Sequence, residues 1–464
     1  MFVVMALVTT VATTPLVKAL YPPWYQTKLE RWRRGEIDWE GNPTESTPTS
    51  QTESVEKLNA VRVNKLLVYL RLDSLASIFS FITLLRPEDP KVAAEVQNSD
   101  ETAPIPIRKR HLEVHGLRII ELTERTSSVM QVTEGEEFYS AHDPVVNAFR
   151  TFSQLNDLAV SGRVAIVPSA YYAETLMKQA SDIASDFALI PWSEYGSVTE
   201  DQSVPYSVSA VDRFRSTTHL DFVSSALHKA SGTCNAGIFI NNGFGGLTKP
   251  AGRPLLARSK SAISIRSYHE SASLPVADKS HHIFFPFFGG VDDRVALRFV
   301  LQLARNPNVS LTIALMSVPG DEMEEATPHV QPDSSRPMFS SKSAEVGTKA
   351  VDNLTATDLA LFHTLQSSLP EELIGRVTFR EIQVTSATAL KETLSVAQES
   401  VGRSPKNAGD LVVVGRTHAQ LGDVSETSGL DLRGAIGAIG EQLVMQGIKA
   451  SVLVIQAGGR SREL

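Results

Sequence analysis

The stretch Ile283–Met316 reads IFFPFFGGVDDRVALRFVLQLARNPNVSLTIALM. It opens on an apolar run, Ile283–Phe288, which is short enough for a buried strand. Two glycines break that run. Apolar residues then recur at helical spacing over Asp292–Arg305, with Asp292 or Asp293 near the start, where an acid is favoured. A second apolar run, Leu311–Met316, closes the unit. Strands covered on both faces carry continuous apolar residues, so strand, helix, strand in this form predicts two parallel strands joined by a crossover helix. Such crossovers are right-handed.

The same series continues downstream. Val377–Ile382 reads as a third strand, and Ser386–Val401 as a helix with Ser386 as its N-cap. Leu411–Val414 reads as a fourth strand, Ile436–Gln446 as a helix and Val452–Gln456 as a last strand. Upstream, the series occurs a first time. Its strands are Leu66–Leu70, Leu117–Leu122, Val164–Val167, Phe187–Trp192 and Ala236–Ile240. Its helices are Leu72–Leu85, Tyr171–Ile183 and Leu220–Ala230. The fold class expected is α/β, with two tandem doubly wound parallel-sheet domains at 58–247 and 281–464. A linker rich in Ser, Ala and Arg joins them at 248–280. Residues 318–349, rich in Pro, Ser and Glu, are expected to be a disordered insertion in the second domain.

The 464 residues fit two or three domains, and the formal net charge of -8 argues against a general nucleic-acid binder. A single cysteine, Cys234, rules out an internal disulfide framework and reads as a small core residue. No Gly-x-Ser-x-Gly, P-loop or paired-carboxylate pattern occurs, so no enzymatic activity is expected. His281-His282 and His111/His115 lack a cysteine partner, and neighbours on a strand face opposite sides. No metal site is expected. Histidines such as His219, His228 and His418 are candidate pH sensors or ordinary surface residues.

Met1–Leu20 is long and apolar enough for a membrane span. It carries no charge before Lys18. Tyr21, Trp24 and Tyr25 follow, then Lys28, Arg31, Arg33 and Arg34, an order that marks a membrane interface and its cytoplasmic side. Four threonines suit a helix packed against protein better than a lone anchor in lipid. Residues 1–20 are therefore expected to end a last transmembrane helix, and 21–57 to be a juxtamembrane segment and linker. The alternative is a buried or interfacial hydrophobic N-terminus.

Several motifs carry a resemblance. They are MALVTTVATTPLVKALYPPW (Met5–Trp24), LRIIELTERTSSV (Leu117–Val129), DPVVNAF (Asp143–Phe149), DFALIP (Asp186–Pro191), FFGGVDDRVAL (Phe287–Leu297), DLVVVGR (Asp410–Arg416) and ASVLVI (Ala450–Ile455). In this order they resemble the cation/proton antiporter-2 family, in particular fungal potassium/proton antiporters and plant cation/proton exchangers. The resemblance implies a monovalent cation (K+)/proton antiporter tail built from two universal-stress-protein-like domains. Those domains would face the cytosol from a membrane, an endomembrane in this reading. The implied partners are the antiporter transmembrane domain, the membrane and a second copy in a homodimer. The family's ion-binding acids lie in membrane helices upstream of Met1, so the chain alone is expected not to transport. A nucleotide-sensing module and a dimerisation scaffold are the other two readings.

Universal stress proteins cradle phosphate with a glycine loop after the fourth strand. Here Gly415 and Arg416 follow that strand, and Gly434, Gly437 and Gly440 open the next helix. These five residues are the candidate nucleotide or anion loop, with an adenine nucleotide in the second domain as the candidate cofactor. Two departures stand against it. His418 occupies the place of the next glycine, and Glu441 stands where that motif has a phosphate-binding hydroxyl. The second reading is that the glycines make turns and let the helix approach the sheet.

Overall fold

The computed structural model describes residues 62–86, 112–122, 138–200, 212–246, 276–317, 357–385, 388–404, 407–418 and 431–459. All of them belong to the unit Lys57–Leu464. The expected membrane segment 1–20, the segment 21–57 and the insertion 318–349 lie outside the described residues, as does most of the linker 248–280.

The first half runs β1 (Lys65–Tyr69), α1 (Leu75–Leu85), β2 (Glu113–Glu121), α2 (Pro144–Leu155), β3 (Ala159–Val167), α3 (Tyr172–Asp182), β4 (Phe187–Pro191), α4 (Thr217–Ala230) and β5 (Asn235–Ile240). The second half repeats it with β6 (His281–Phe287), α5 (Val291–Leu303), β7 (Val309–Ser317), α6 (357–367), β8 (Val377–Gln383), α7 (Ala389–Ser400), β9 (Leu411–Gly415), α8 (Leu432–Met445) and β10 (Ser451–Gln456).

Two of these helices were not read from the sequence. Helix α2 starts at an Asp-Pro pair. The Asp143 carboxylate accepts from the backbone N–H of Val145 and Val146, both at 2.9 Å, and Pro144 fills a first-turn position that needs no donor. Its counterpart α6 begins at 357, where the described residues resume. Helix α7 begins at Ala389 with Thr388 in the N-cap place. The expected cap, Ser386, lies outside the described residues.

Strands β2 and β3 are each longer than their apolar runs. Lys65 pairs with Glu113, which draws β2 back beyond Leu117. Strand β3 pairs with β2 over its whole length, and its first five residues alternate in exposure because it lies at the sheet edge.

The ten strands form one continuous sheet in the order β3-β2-β1-β4-β5-β10-β9-β6-β7-β8. Each half thus has the order 3-2-1-4-5, doubly wound as expected. Every neighbouring pair is parallel except β5 and β10, which run antiparallel from Ile240 opposite Val452 to Ala236 opposite Gln456. The halves therefore meet head to head at their last strands and leave β3 and β8 as the edges.

Phe81 of α1 stacks on Phe299 of α5 at 6.1 Å, and Phe299 stacks on Phe187 of β4 at 4.7 Å. Such pairs add about 0.5–1.5 kcal/mol each beyond simple burial. Gln456 at the end of β10 donates to the carbonyl of Leu227 in α4 at 2.9 Å. Among the described residues, no helix is long and apolar enough to cross a membrane.

Candidate functional site

A doubly wound sheet binds ligands where two neighbouring strands send their connections in opposite directions. Each half has one such crevice. In the second half it lies between β6 and β9, and in the first between β1 and β4.

In the second half, the crevice holds the start of α5. Gly289 and Gly290 take φ of 89° and 98°, a left-handed turn that side chains avoid. The turn folds the two following acids back over the strand ends. Asp293 Oδ2 accepts from the N–H of Phe288 at 2.7 Å and of Gly289 at 3.1 Å, and its Oδ1 lies 3.2 Å from His418 Nε2. Asp292 Oδ1 accepts from Ala457 N at 2.8 Å. Its Oδ2 accepts from Thr417 N at 3.1 Å and from Thr417 Oγ1 at 2.6 Å. Asp292, Asp293 and His418 are all buried. Two carboxylates therefore bind together the ends of β6, β9 and β10. The sequence offered Asp292 and Asp293 only as helix-start residues. The Gly-Gly step before them was the signal that they turn inward.

The five candidate loop residues surround this knot. Gly415 ends β9, and a side chain there would run into the Asp293 carboxylate. Arg416 donates its N–H to Ile455 O at 2.8 Å, and its guanidinium donates to Gln456 Oε1 and to Gly434 O. Gly437 takes φ of 76° inside α8, and a Cβ there would meet the Arg416 carbonyl. Gly440 is buried, and a Cβ there would lie 3.2 Å from Val454 of β10. Gly434 has open space around it. The structure thus brings Arg416, Gly434 and Gly437 together, with Gly415 under Asp293 and Gly440 against the sheet. Burial raises the Glu441 carboxyl above its ordinary range, and Asp431 adds to the effect.

The first-half crevice is closed differently. Arg71 follows β1 and is 2% exposed. Its guanidinium grips both oxygens of Asp73 at 3.1 Å, donates to Val198 O at 2.8 Å and reaches Ser193 Oγ at 3.1 Å. Asp73 also accepts from Glu194 N at 3.1 Å. Burial by itself would drive Arg71 towards losing its proton. The charge of Asp73, with smaller help from Tyr69 and Glu200, outweighs that and lifts it above its ordinary range.

Arg118 on β2 lies 2.9 Å from Asp143 Oδ2 and 3.0 Å from Glu200 Oε2, while Glu200 Oε1 accepts from Leu72 N at 2.7 Å. The loop 193–200 is thereby drawn over the end of β1. Beneath it, His219 accepts from Ser193 N at 3.3 Å and packs edge-on against Trp192 at 4.7 Å. Burial pushes its pKa down to about 3, and the Arg71 charge acts in the same direction. His219 is a buried neutral ring. Burial also pushes the Cys234 thiol up to about 12, as befits a core residue.

His281 and His282 have separate partners, Gly409 O and Ser310 Oγ. Among the described residues, no group of three or more metal-binding side chains comes together.

Fold and crevices define a tandem doubly wound α/β module whose described strand ends are bound to one another by its own side chains. The chain is similar to cation/H(+) antiporters of plants. Residues 114–244 match the family model described as the plant cation/H(+) antiporter domain. Cation/H(+) antiporter 17 of Arabidopsis thaliana is 26% identical over 338 residues, covering 69% of this chain and 32% of that protein. Cation/H(+) antiporter 18 of the same plant is 25% identical over 475 residues, covering 98% of this chain and 46% of the relative. The chain thus spans about a third to a half of the length of these relatives. Among solved structures, a universal stress protein from Archaeoglobus fulgidus is similar over 85% of this chain and 97% of its own, with 10% identity and a TM-score of 0.38. A universal stress protein described as putative, from Pseudomonas aeruginosa, is similar over 86% of this chain and 94% of its own, with 10% identity and a TM-score of 0.35.

Proposed function

We propose that this chain is the C-terminal, cytosol-facing regulatory and assembly tail of a fungal-type monovalent cation (K+)/proton antiporter in an endomembrane. In this reading it neither transports by itself nor acts as an enzyme. The observation that carries the reading is the alignment of nearly all of the chain with less than half of a cation/H(+) antiporter. The architecture supports it: among the described residues the sheet is open, with β3 and β8 at its edges, and an open sheet has no place in hydrocarbon, where only helices and closed barrels satisfy the backbone. Such a body works beside a membrane domain, joined through residues 1–57.

The scaffold reading changes shape with the sheet. The last strands of the two halves pair with each other, so a homodimer of the whole protein would use another surface. The nucleotide reading gains nothing from the second crevice. A phosphate there would face the buried Asp292 and Asp293, and the candidate arginine, Arg416, is engaged by Gln456 and Gly434.

The test is reconstitution in liposomes under a proton gradient. The chain alone is expected to give no K+ flux. The chain joined to an antiporter transmembrane domain is expected to alter that domain's flux or its oligomeric state. Sustained flux from the chain alone, or no effect on the joined domain, refutes the proposal.

A further inference from the structure

Helix α5 buries most of its surface, and two of its partly exposed positions, one turn apart, are Arg294 and Arg298. Side chains four apart on a helix are neighbours. The Asp358 carboxylate, at the start of α6, is set against Arg294. It accepts from Arg294 Nε through Oδ1 and from Gly290 N at 2.8 Å through Oδ2, so both its oxygens are engaged. Arg294 Nη2 and Arg298 Nε are buried with no hydrogen-bond partner. Burial and, after it, the Arg294 charge weaken the hold of Arg298 on its proton. Among the described residues, two guanidinium groups and one engaged carboxylate leave one positive charge over, and buried donors of this kind call for an acceptor.

The fold does not require this pair. Phe81 of α1 and Phe299 of α5 stack across the join between the halves. The corresponding helix of the first half, α1, carries no charged residue. One half thus carries an uncharged helix where the other carries two arginines.

We propose that Arg294 and Arg298 form a binding site for a phosphoryl group. The two arginines approach from neighbouring turns, which suits a group with three acceptor oxygens better than a two-oxygen carboxylate already matched by one fork. The ligand is a free phosphate-bearing molecule or the phosphate of a lipid headgroup, and Asp358 holds Arg294 in place to receive it. The site lies on α5 and uses neither Gly415 nor Arg416.

The full chain is titrated with inorganic phosphate by calorimetry, and separately sedimented with vesicles of phosphatidylcholine with or without phosphatidic acid. Saturable binding to phosphate assigns a soluble ligand, and binding only to phosphatidic acid vesicles assigns a headgroup. In either arm, Arg298→Gln is expected to weaken binding at least tenfold. As a check that needs no variant, the binding probe is expected to slow modification of Arg298 by phenylglyoxal in the unaltered chain. No saturable binding to either probe overturns the proposal, as does binding that neither depends on nor protects Arg298.

Discussion

In the first half the buried charges at the crevice are an ion pair, Arg71 with Asp73, joined by Ser193 under a loop. In the second half the buried charges are anions, Asp292 and Asp293, held by backbone N–H groups, Thr417 and His418. The strand order is the same, so topology fixes where the crevice lies and leaves its charge free. The comparison also separates ways of closing a strand end. One half pulls a loop inward with a side-chain ion pair. The other turns a helix start inward through two glycines.

The largest expected effect comes from breaking the first closure. Asp73→Ala leaves the Arg71 guanidinium buried without its counter-charge and is expected to cost about 3–5 kcal/mol, read as a lower urea midpoint. Asp293→Asn in the second half keeps most of its hydrogen bonds and is expected to cost clearly less. Equal losses would erase the distinction drawn between the two crevices.

Acid sharpens the comparison. His219 is held neutral down to about pH 3 when folded, whereas its unfolded value lies near 6.5. The unfolded chain therefore takes up the extra proton. The His219 contribution to stability is full above about pH 6.5 and falls as pH drops from there towards 3, with a slope of up to about 1.4 kcal/mol per pH unit. His219→Phe is expected to flatten that part of the stability–pH curve, followed by denaturant melts from pH 7 to 4. An unchanged slope would mean that the ring is protonated in the folded chain.

A smaller loss is expected from Gly437→Ala. Its φ of 76° and the nearby Arg416 carbonyl leave a side chain no relaxed place. A drop of about 1–3 kcal/mol in thermal unfolding is expected. Gly434→Ala, at an open site, is expected to be neutral or mildly stabilising. If both were neutral, the kink in α8 would carry no strain.

The smallest effects belong to the exposed ion pairs, Lys229–Glu174 in the first half and Arg403–Glu399 in the second. A double-mutant cycle on either is expected to give below about 1 kcal/mol, vanishing at high salt.

Most strands were legible because a strand covered on both faces must be apolar throughout, and Leu66–Leu70 and Val452–Gln456 are apolar along nearly their whole length. Helices α2 and α6 were less so. Helix α2 announced itself only through Asp143-Pro144, and α6 follows a long stretch without a clear pattern. The glycines of the candidate loop were legible as glycines, but their partners were not. Arg71 meets Ser193 across 122 residues, and Asp292 meets Thr417 across 125. Local spacing carries no information over such separations.

By itself, the sequence determined the repeating order of strand and helix, the duplication, and the buried character of each strand, because these follow from periodicity and composition within short windows. Only the tertiary structure decided that the two halves share one sheet, since an antiparallel pairing of β5 with β10 depends on which strands come to lie side by side. It alone decided, too, that Asp292 and Asp293 point inward and that Arg71 is buried. A charged side chain enters a core only when distant parts of the chain arrive to satisfy it, and no neighbouring residue records that arrival.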